Sequence, residues 1–219
     1  MRGKFITFEG GEGAGKSTQI QELKKQLEAQ GFSVVMTREP GGSAGAELLR
    51  EILLSGQAQR YGVDAEAVLF AAARADHIDT VISPALCKGQ WVLCDRFADS
   101  SRVYQGEAGV EKTLINHLQS LAINENDPDL TILIDVPVDI GMSRVTKRSD
   151  DGPDRFEQDT TTTHERRRAL FLSMAGREVD RFVVVDGCQD AATVSKNILN
   201  AVCGKFPSYM KEATLGSSQ

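Results

Sequence analysis

The chain has 219 residues, 41% hydrophobic and 26% charged, a balance suited to a soluble globular protein with one full core. Its 25 Lys and Arg against 31 Asp and Glu give a formal net charge of −6, which argues against broad nucleic-acid binding, so any cationic site is local. No apolar stretch approaches the roughly 20 residues that cross a bilayer. The opening MRGKFITFEG lacks the long apolar segment of a secretory signal, and Cys87, Cys94, Cys188 and Cys203 form no CxxC pair. The expectation is a reduced, cytoplasmic protein that contacts neither membrane nor nucleic acid.

Five apolar, β-rich runs occur in chain order: KFITFE, FSVVM, WVLCD, LTILIDV and RFVVVD. Segments with helical periodicity separate them. In TQIQELKKQLEAQ, Ile20, Leu23 and Leu27 fall on one face, and Gly31 is placed to end that helix. Further helices are predicted over Ala46 to Leu54, Ala65 to Leu86, Lys112 to Ile123, Val138 to Lys147, Thr163 to Val179 and Ala191 to Val202. Three strands read as nearly continuous apolar runs, as a parallel sheet covered on both faces requires. The pattern therefore predicts an α/β fold, a three-layer sandwich with a parallel five-stranded sheet and helices on both faces. Residues 1–206 read as a single domain. Within it, KRSDDGPDRFEQD, about residues 147–158, reads as a polar flap, and the homopolymer Thr160 to Thr163 reads as a loop leading into a helix N-cap. Arg166, Arg167 and Arg168 match no motif and read as a solvated helix face. Residues 207–219 read as a frayed tail.

Gly10, Gly15, Lys16 and Ser17 satisfy GxxxxGK[ST], with a strand before the motif and an amphipathic helix after it. In a P-loop of this kind the backbone N–H groups over Gly10, Gly11, Glu12, Gly13, Ala14 and Gly15 and the helix N-terminus at Lys16, Ser17 and Thr18 cradle phosphate oxygens. Lys16 then reaches the terminal phosphates and Ser17 offers an oxygen to Mg²⁺. A guanine-binding switch would carry NKxD and DxxG motifs at later strand ends, and neither stands at such a place. Instead WVLCD ends on Asp95-Arg96-Phe97, and open α/β sheets bind ligands at that edge. Asp95 can hold the metal or orient an acceptor, and Arg96 can bridge phosphoryl groups. Arg38, after FSVVM and before a Gly41-Gly42 turn, can clamp a second phosphate bidentately. A P-loop and two arginines imply two phosphorylated ligands facing each other.

Taken together, FEGGEGAGKST, TREPGG, FAAARADH, DRF, SSRVYQG and DRFEQ resemble, in order and spacing, one family: the thymidylate kinases, P-loop nucleoside monophosphate kinases that make dTDP from dTMP and ATP. The likeness runs to about residue 205. It implies Mg²⁺-dependent transfer of the ATP γ-phosphoryl group to dTMP, in dTTP biosynthesis, by a homodimer. It implies that Arg38 and Arg96 hold the dTMP phosphate and that Glu12 lies near the sugar 3′-hydroxyl. Phe70 would stack on thymine and Arg74 bond its O4, although periodicity alone makes Phe70 a core residue. Ser101 and Gln105 would meet the pyrimidine edge, with Tyr104 packed under the deoxyribose so that a 2′-hydroxyl finds no room. The flap resembles the LID that closes over ATP, with Arg148 and Arg155 as its catalytic arginines beside Lys16, Asp95 and Arg96. Lys147 competes with Arg148 for that place because SDDGP makes the alignment ambiguous. Arg144 resembles the residue that stacks on adenine. No cation occupies the variable P-loop positions, as in the bacterial type that relies on LID arginines. Arg102 has no assigned contact. A kinase for another nucleoside monophosphate and a non-enzymatic nucleotide switch are the two rival readings.

Overall fold

The computed structural model describes residues 2–148 and 155–209. The elements are β1 (Phe5–Glu9), α1 (Lys16–Ala29), β2 (Val34–Arg38), α2 (Ala44–Leu54), α3 (Val63–His77), α4 (Ser83–Cys87), β3 (Trp91–Asp95) and α5 (Ala98–Glu107). They continue as α6 (Lys112–Ile123), β4 (Leu130–Asp135), α7 (Val138–Arg148), α8 (Thr161–Arg177), β5 (Phe182–Asp186) and α9 (Ala191–Lys205). All five predicted strands form, and they pair in parallel in the order β2-β3-β1-β4-β5. The strand order reverses beside β1, so the crevice at its carboxyl end is the place where such a sheet takes ligands.

Alternation along each strand divides the core into two layers. Ile6 and Phe8 of β1, Leu93 of β3 and Ile132 and Ile134 of β4 pack with Ile20, Leu23 and Leu27 of α1 and Ile198 of α9. Phe5, Val92 and Cys94 face the other way, against Ile78, Ile82, Leu86 and Phe97. The central strands are buried on both faces, whereas the outer strands β2 and β5 expose Met36 and Val184. Thr7 and Thr131 sit fully buried between β1 and β4, and their hydroxyls satisfy one another at 2.8 Å.

The helix predicted from Ala65 to Leu86 is interrupted. Between α3 and α4 the backbone takes one π-helical turn, Ile78–Ile82, just before Pro84 at the start of α4. Proline lacks an N–H and crowds the preceding carbonyl, so the hydrogen-bond ladder steps from i−4 to i−5 there. Helix α5 carries SSRVYQG and was not among the predicted helices; its N-cap residue, Phe97, has no capping side chain, and it shows no clean apolar stripe. The N-cap foreseen at the threonine run is present: Thr160 Oγ1 accepts from the Thr163 N–H at 3.2 Å.

Arg166 to Arg168 correct an expectation. Only Arg166 is solvated; Arg167 is buried, and Arg168 makes a two-pronged pair with Asp135 at 2.7 and 2.8 Å. The charges are absorbed by carboxylates from other elements, which no local motif records. Half of the expected flap, residues 149–154, and most of the expected frayed tail, residues 210–219, lie outside the described residues, as does the side chain of Arg148. Tyr209, at the head of that tail, packs edge-on to Trp91 with ring centroids 5.9 Å apart.

Ile132, fully buried in the central layer, tests this core. Ile132→Ala is expected to destabilise the fold by about 2–5 kcal/mol, read from the midpoint of urea denaturation at unchanged slope.

Candidate active site

The loop from Gly10 to Gly15 leaves the central strand and runs directly into α1, with Gly13 and Gly15 in the left-handed region (φ 68° and 93°) where a side chain is strained. Gly13 also lies so close to Gly141 of α7 that a Cβ on it would collide with the Gly141 carbonyl, and a Cβ on Gly141 would collide with the Glu12 carbonyl. The loop is thereby seated backbone to backbone on α7. Lys16 is buried, and its ammonium donates to the carbonyls of Gly10 and Gly11, both at 3.1 Å. Burial, and after it the Arg96 cation, hold Lys16 below its ordinary pKa. Ser17 donates to Asp95 at 2.9 Å, so the two oxygens named for a metal stand together at the sheet edge.

Arg96 follows β3 with φ 65°, a left-handed conformation that a side-chain-bearing residue adopts only when its surroundings enforce it. The enforcement is visible: its N–H donates to the Phe8 carbonyl, and its guanidinium donates to the Gly10 carbonyl at 3.2 Å, to Ser100 at 3.3 Å and to Glu12 at 2.6 Å. Glu12 also accepts from the Tyr104 hydroxyl at 2.7 Å. Burial pushes the Glu12 carboxyl up, but Arg96, Lys16 and the Tyr104 hydroxyl outweigh it and bring the group down to about 2.

A pocket opens beside this cluster and is lined by Glu12, Phe70, Arg74, Arg96, Ser101, Tyr104 and Gln105. It unites seven of the eight residues expected to hold dTMP. Arg74 is fixed by Glu39 through Nε at 2.8 Å and by Ser101 through Nη2 at 3.0 Å. Glu39 is in turn held by His77 at 3.1 Å, and the far side of that ring meets Thr37 at 2.7 Å. Arg38, the eighth, stands outside: it pairs with Glu47 at 3.2 Å and borders a separate hollow with Ser17 and Asp95. Arg144 lies against the P-loop, donating to the carbonyls of Gly187 at 3.0 Å and Gly13 at 3.5 Å. Arg155 is placed against α3, ion-paired to Glu66 at 2.7 Å and stacked over Phe156 at 4.2 Å. Arg102 bridges Asp99 and Glu178, at 3.1 and 2.7 Å.

Several lining residues were not anticipated. Arg50 and Leu54 come from α2, and Phe156 from the segment before α8. Glu39 and Phe156 sit inside the quoted TREPGG and DRFEQ, and that adjacency was the available signal; Arg50, bonded to the Pro40 carbonyl, carried none. Glu9 is the most consequential omission. It ends β1, is fully buried, and accepts from the N–H groups of Phe97 at 2.9 Å and Ser100 at 3.2 Å and from the Ser100 hydroxyl at 2.6 Å. It therefore caps α5 from a neighbouring strand. Burial, and after it the charge on Asp99, raise its carboxyl to about 7.

A glycine-rich loop of P-loop sequence after the central strand, beside a pocket with a buried guanidinium and an aromatic ring, is the arrangement of a P-loop nucleotide kinase. The comparisons with known proteins narrow this class. The thymidylate kinase family profile matches residues 8–198. Thymidylate kinase from Afipia carboxidovorans is 53% identical over 199 residues, covering 90% of this chain and 87% of that protein. Those from Rhodopseudomonas palustris and Bradyrhizobium sp. are each 50% identical, over 92% of this chain and 89% and 90% of theirs. The chain belongs to the thymidylate kinase family. Among the described residues, no helix is long and apolar enough to cross a membrane.

Glu9 makes the site's pH response testable. Its folded value lies above the ordinary carboxylate value of 4.5, so its contribution is fully present below pH 4.5 and is lost as pH rises through about 7. Glu12 has the opposite sign, with a contribution complete above pH 4.5 and lost as pH falls through about 2. Denaturation across pH 4.5–7 is expected to show a downward slope in the wild type that is reduced in Glu9→Gln; an unaltered slope would contradict this reading.

Proposed function

We propose that this chain catalyses Mg²⁺-dependent transfer of the ATP γ-phosphoryl group to the 5′-phosphate of dTMP, giving dTDP and ADP for dTTP biosynthesis. The observation that carries the reading is the pocket in which Phe70, Arg74, Arg96, Ser101, Tyr104, Gln105 and Glu12 converge beside a P-loop, in a member of the thymidylate kinase family. The names of the relatives support the same acceptor.

ATP is the donor, held by Gly10 to Thr18 and by Arg144 at the adenine end. Ser17 and Asp95 would hold Mg²⁺, since they present hard oxygen atoms side by side, 2.9 Å apart. When bound, Mg²⁺ supplies charge neutralisation at the donor phosphates. On the acceptor side Phe70 stacks on thymine, while Arg74, held by Glu39 and Ser101, bonds its O4. Ser101 and Gln105 meet the pyrimidine edge, Tyr104 floors the sugar, and Glu12 takes the 3′-hydroxyl. Arg96 holds the acceptor phosphate, its guanidinium already anchored on the Gly10 carbonyl and paired to Glu12. Arg38 reaches the same phosphate by exchanging its exposed pair with Glu47. The acceptor phosphate oxygen attacks directly, so no protein nucleophile is needed. Arg148 and Arg155, or Lys147 in place of Arg148, stabilise the transferring group as the flap closes.

The protein acts in the cytoplasm as a homodimer. Leu48 and Ile52 of α2, Val68 of α3 and Leu121 of α6 expose apolar side chains on helices that pack side by side, and this supports a helix-mediated interface.

Turnover of ATP with dTMP, set against dUMP, dCMP and AMP, tests the reading; clear preference for dTMP is expected, and absence of dTMP turnover refutes it. Arg96→Ala is expected to lower kcat by about 100-fold or more, the order found when a charge-stabilising donor is removed, with little change in ATP affinity. Near-normal turnover would remove Arg96 from the mechanism.

A further inference from the structure

One buried cation beside the pocket has no task in phosphoryl transfer. Arg167 of α8 lies over the Tyr104 ring, 4.4 Å from its centroid, and 5.8 Å from that of Phe156. Its Nη2 pairs with Asp159 at 2.8 Å and stands 3.7 Å from Glu107. Its Nε and Nη1 are buried and make no hydrogen bond. A buried guanidinium with two unused donors is costly unless something else attracts it. The π face of Tyr104 does so, and the phenol hydroxyl donating to the Glu12 carboxylate enriches that face.

The setting gives this contact a purpose. Behind Tyr104 lies a second cavity of about 370 Å³, bordered by Glu66, Glu107, Arg155 and Arg167. Tyr104, Gln105 and Phe156 line both this cavity and the acceptor pocket, so the two rings form the aromatic part of the partition between them. A partition with open space behind it can recede. The hydroxyl bond to Glu12 tethers only the tip of Tyr104, and Arg96 lies over the ring from the acceptor pocket at 5.1 Å. Arg167 is the group that occupies the rear.

We propose that Arg167 is a positioning residue for acceptor selectivity: it holds the Tyr104 ring forward, so that a sugar bearing a 2′-hydroxyl is refused. The inference rests on the dTMP reading above, and Arg167 acts through Tyr104 without touching the nucleotide. Its partner Asp159 precedes α8, so the strut is braced against the chain segment that follows the flap.

The test is calorimetric binding of dTMP, ribothymidine 5′-monophosphate and ATP to the full chain, in the wild type, Arg167→Met and Arg167→Lys. Methionine keeps an unbranched stem without the charge; lysine keeps the charge without the planar stack. The preference for the deoxynucleotide is expected to fall about tenfold in Arg167→Met, the order of one desolvated cation–π contact, and less in Arg167→Lys. ATP affinity is expected to stay unchanged. An unaltered preference overturns the proposal even where the melting temperature drops, because a purely structural role lowers the melting temperature without moving this ratio. Should Arg167→Met fail to fold, Arg167→Lys decides by the same ratio. A wild type that binds neither thymidine nucleotide refutes the dTMP reading and this inference together, an outcome distinct from a wild type that discriminates without help from Arg167.

Discussion

The site is organised by one fully buried carboxylate. Glu9 terminates the central strand one residue before the P-loop begins, and it accepts three hydrogen bonds from Phe97 and Ser100 at the head of α5. One side chain thus fixes the P-loop and α5 relative to each other. Leaving those N–H groups unpaired in a buried position would be costly, so the geometry is enforced by the avoidance of an unmet donor. Arg96 lies between the two anchored parts, in a backbone conformation it would not adopt alone. The relative placement of the P-loop and α5 therefore depends on an interaction internal to the fold.

Around this anchor the charges are arranged as a chain of mutual support. Arg96 holds Glu12, Glu12 holds the Tyr104 hydroxyl, and Tyr104 receives Arg167; on the other wall Thr37, His77 and Glu39 lead to Arg74. Each buried charge has an opposite charge or a π face beside it, which is the condition for ions to persist away from water. Preorganisation of this kind costs little rearrangement at the moment of reaction. It also explains why the pocket draws groups from α2, α3, α5, the P-loop and the loops after β2 and β3, since the charges paired there come from different elements.

Much of this was legible in the sequence where the cause is local. The five strands follow from apolar runs bounded by breakers, and the P-loop follows from glycine spacing before an amphipathic helix, so both could be read without knowing their neighbours. Seven of the residues expected from motif likeness to hold dTMP line one pocket, because the spacing of those motifs brings their side chains together. What escaped depends on partners far along the chain. Helix α5 is capped by Glu9, 88 residues away from Phe97, and Arg168 is neutralised by Asp135, 33 residues away. Arg167 looked like one more surface charge because nothing near it in HERRRAL announces Tyr104. The π turn before Pro84 was hidden for a different reason: the apolar pattern continues smoothly through a change in backbone pitch.

The contact between Gly13 and Gly141 carries a consequence for how this chain can change over generations. In each direction the obstacle to a side chain is main chain, the carbonyl of Gly141 on one side and that of Glu12 on the other. No trimming of a neighbour can make room, and substituting both residues doubles the collision. The two codons are thus coupled without any route of compensation, and drift at either one is closed while the loop and α7 remain seated on each other.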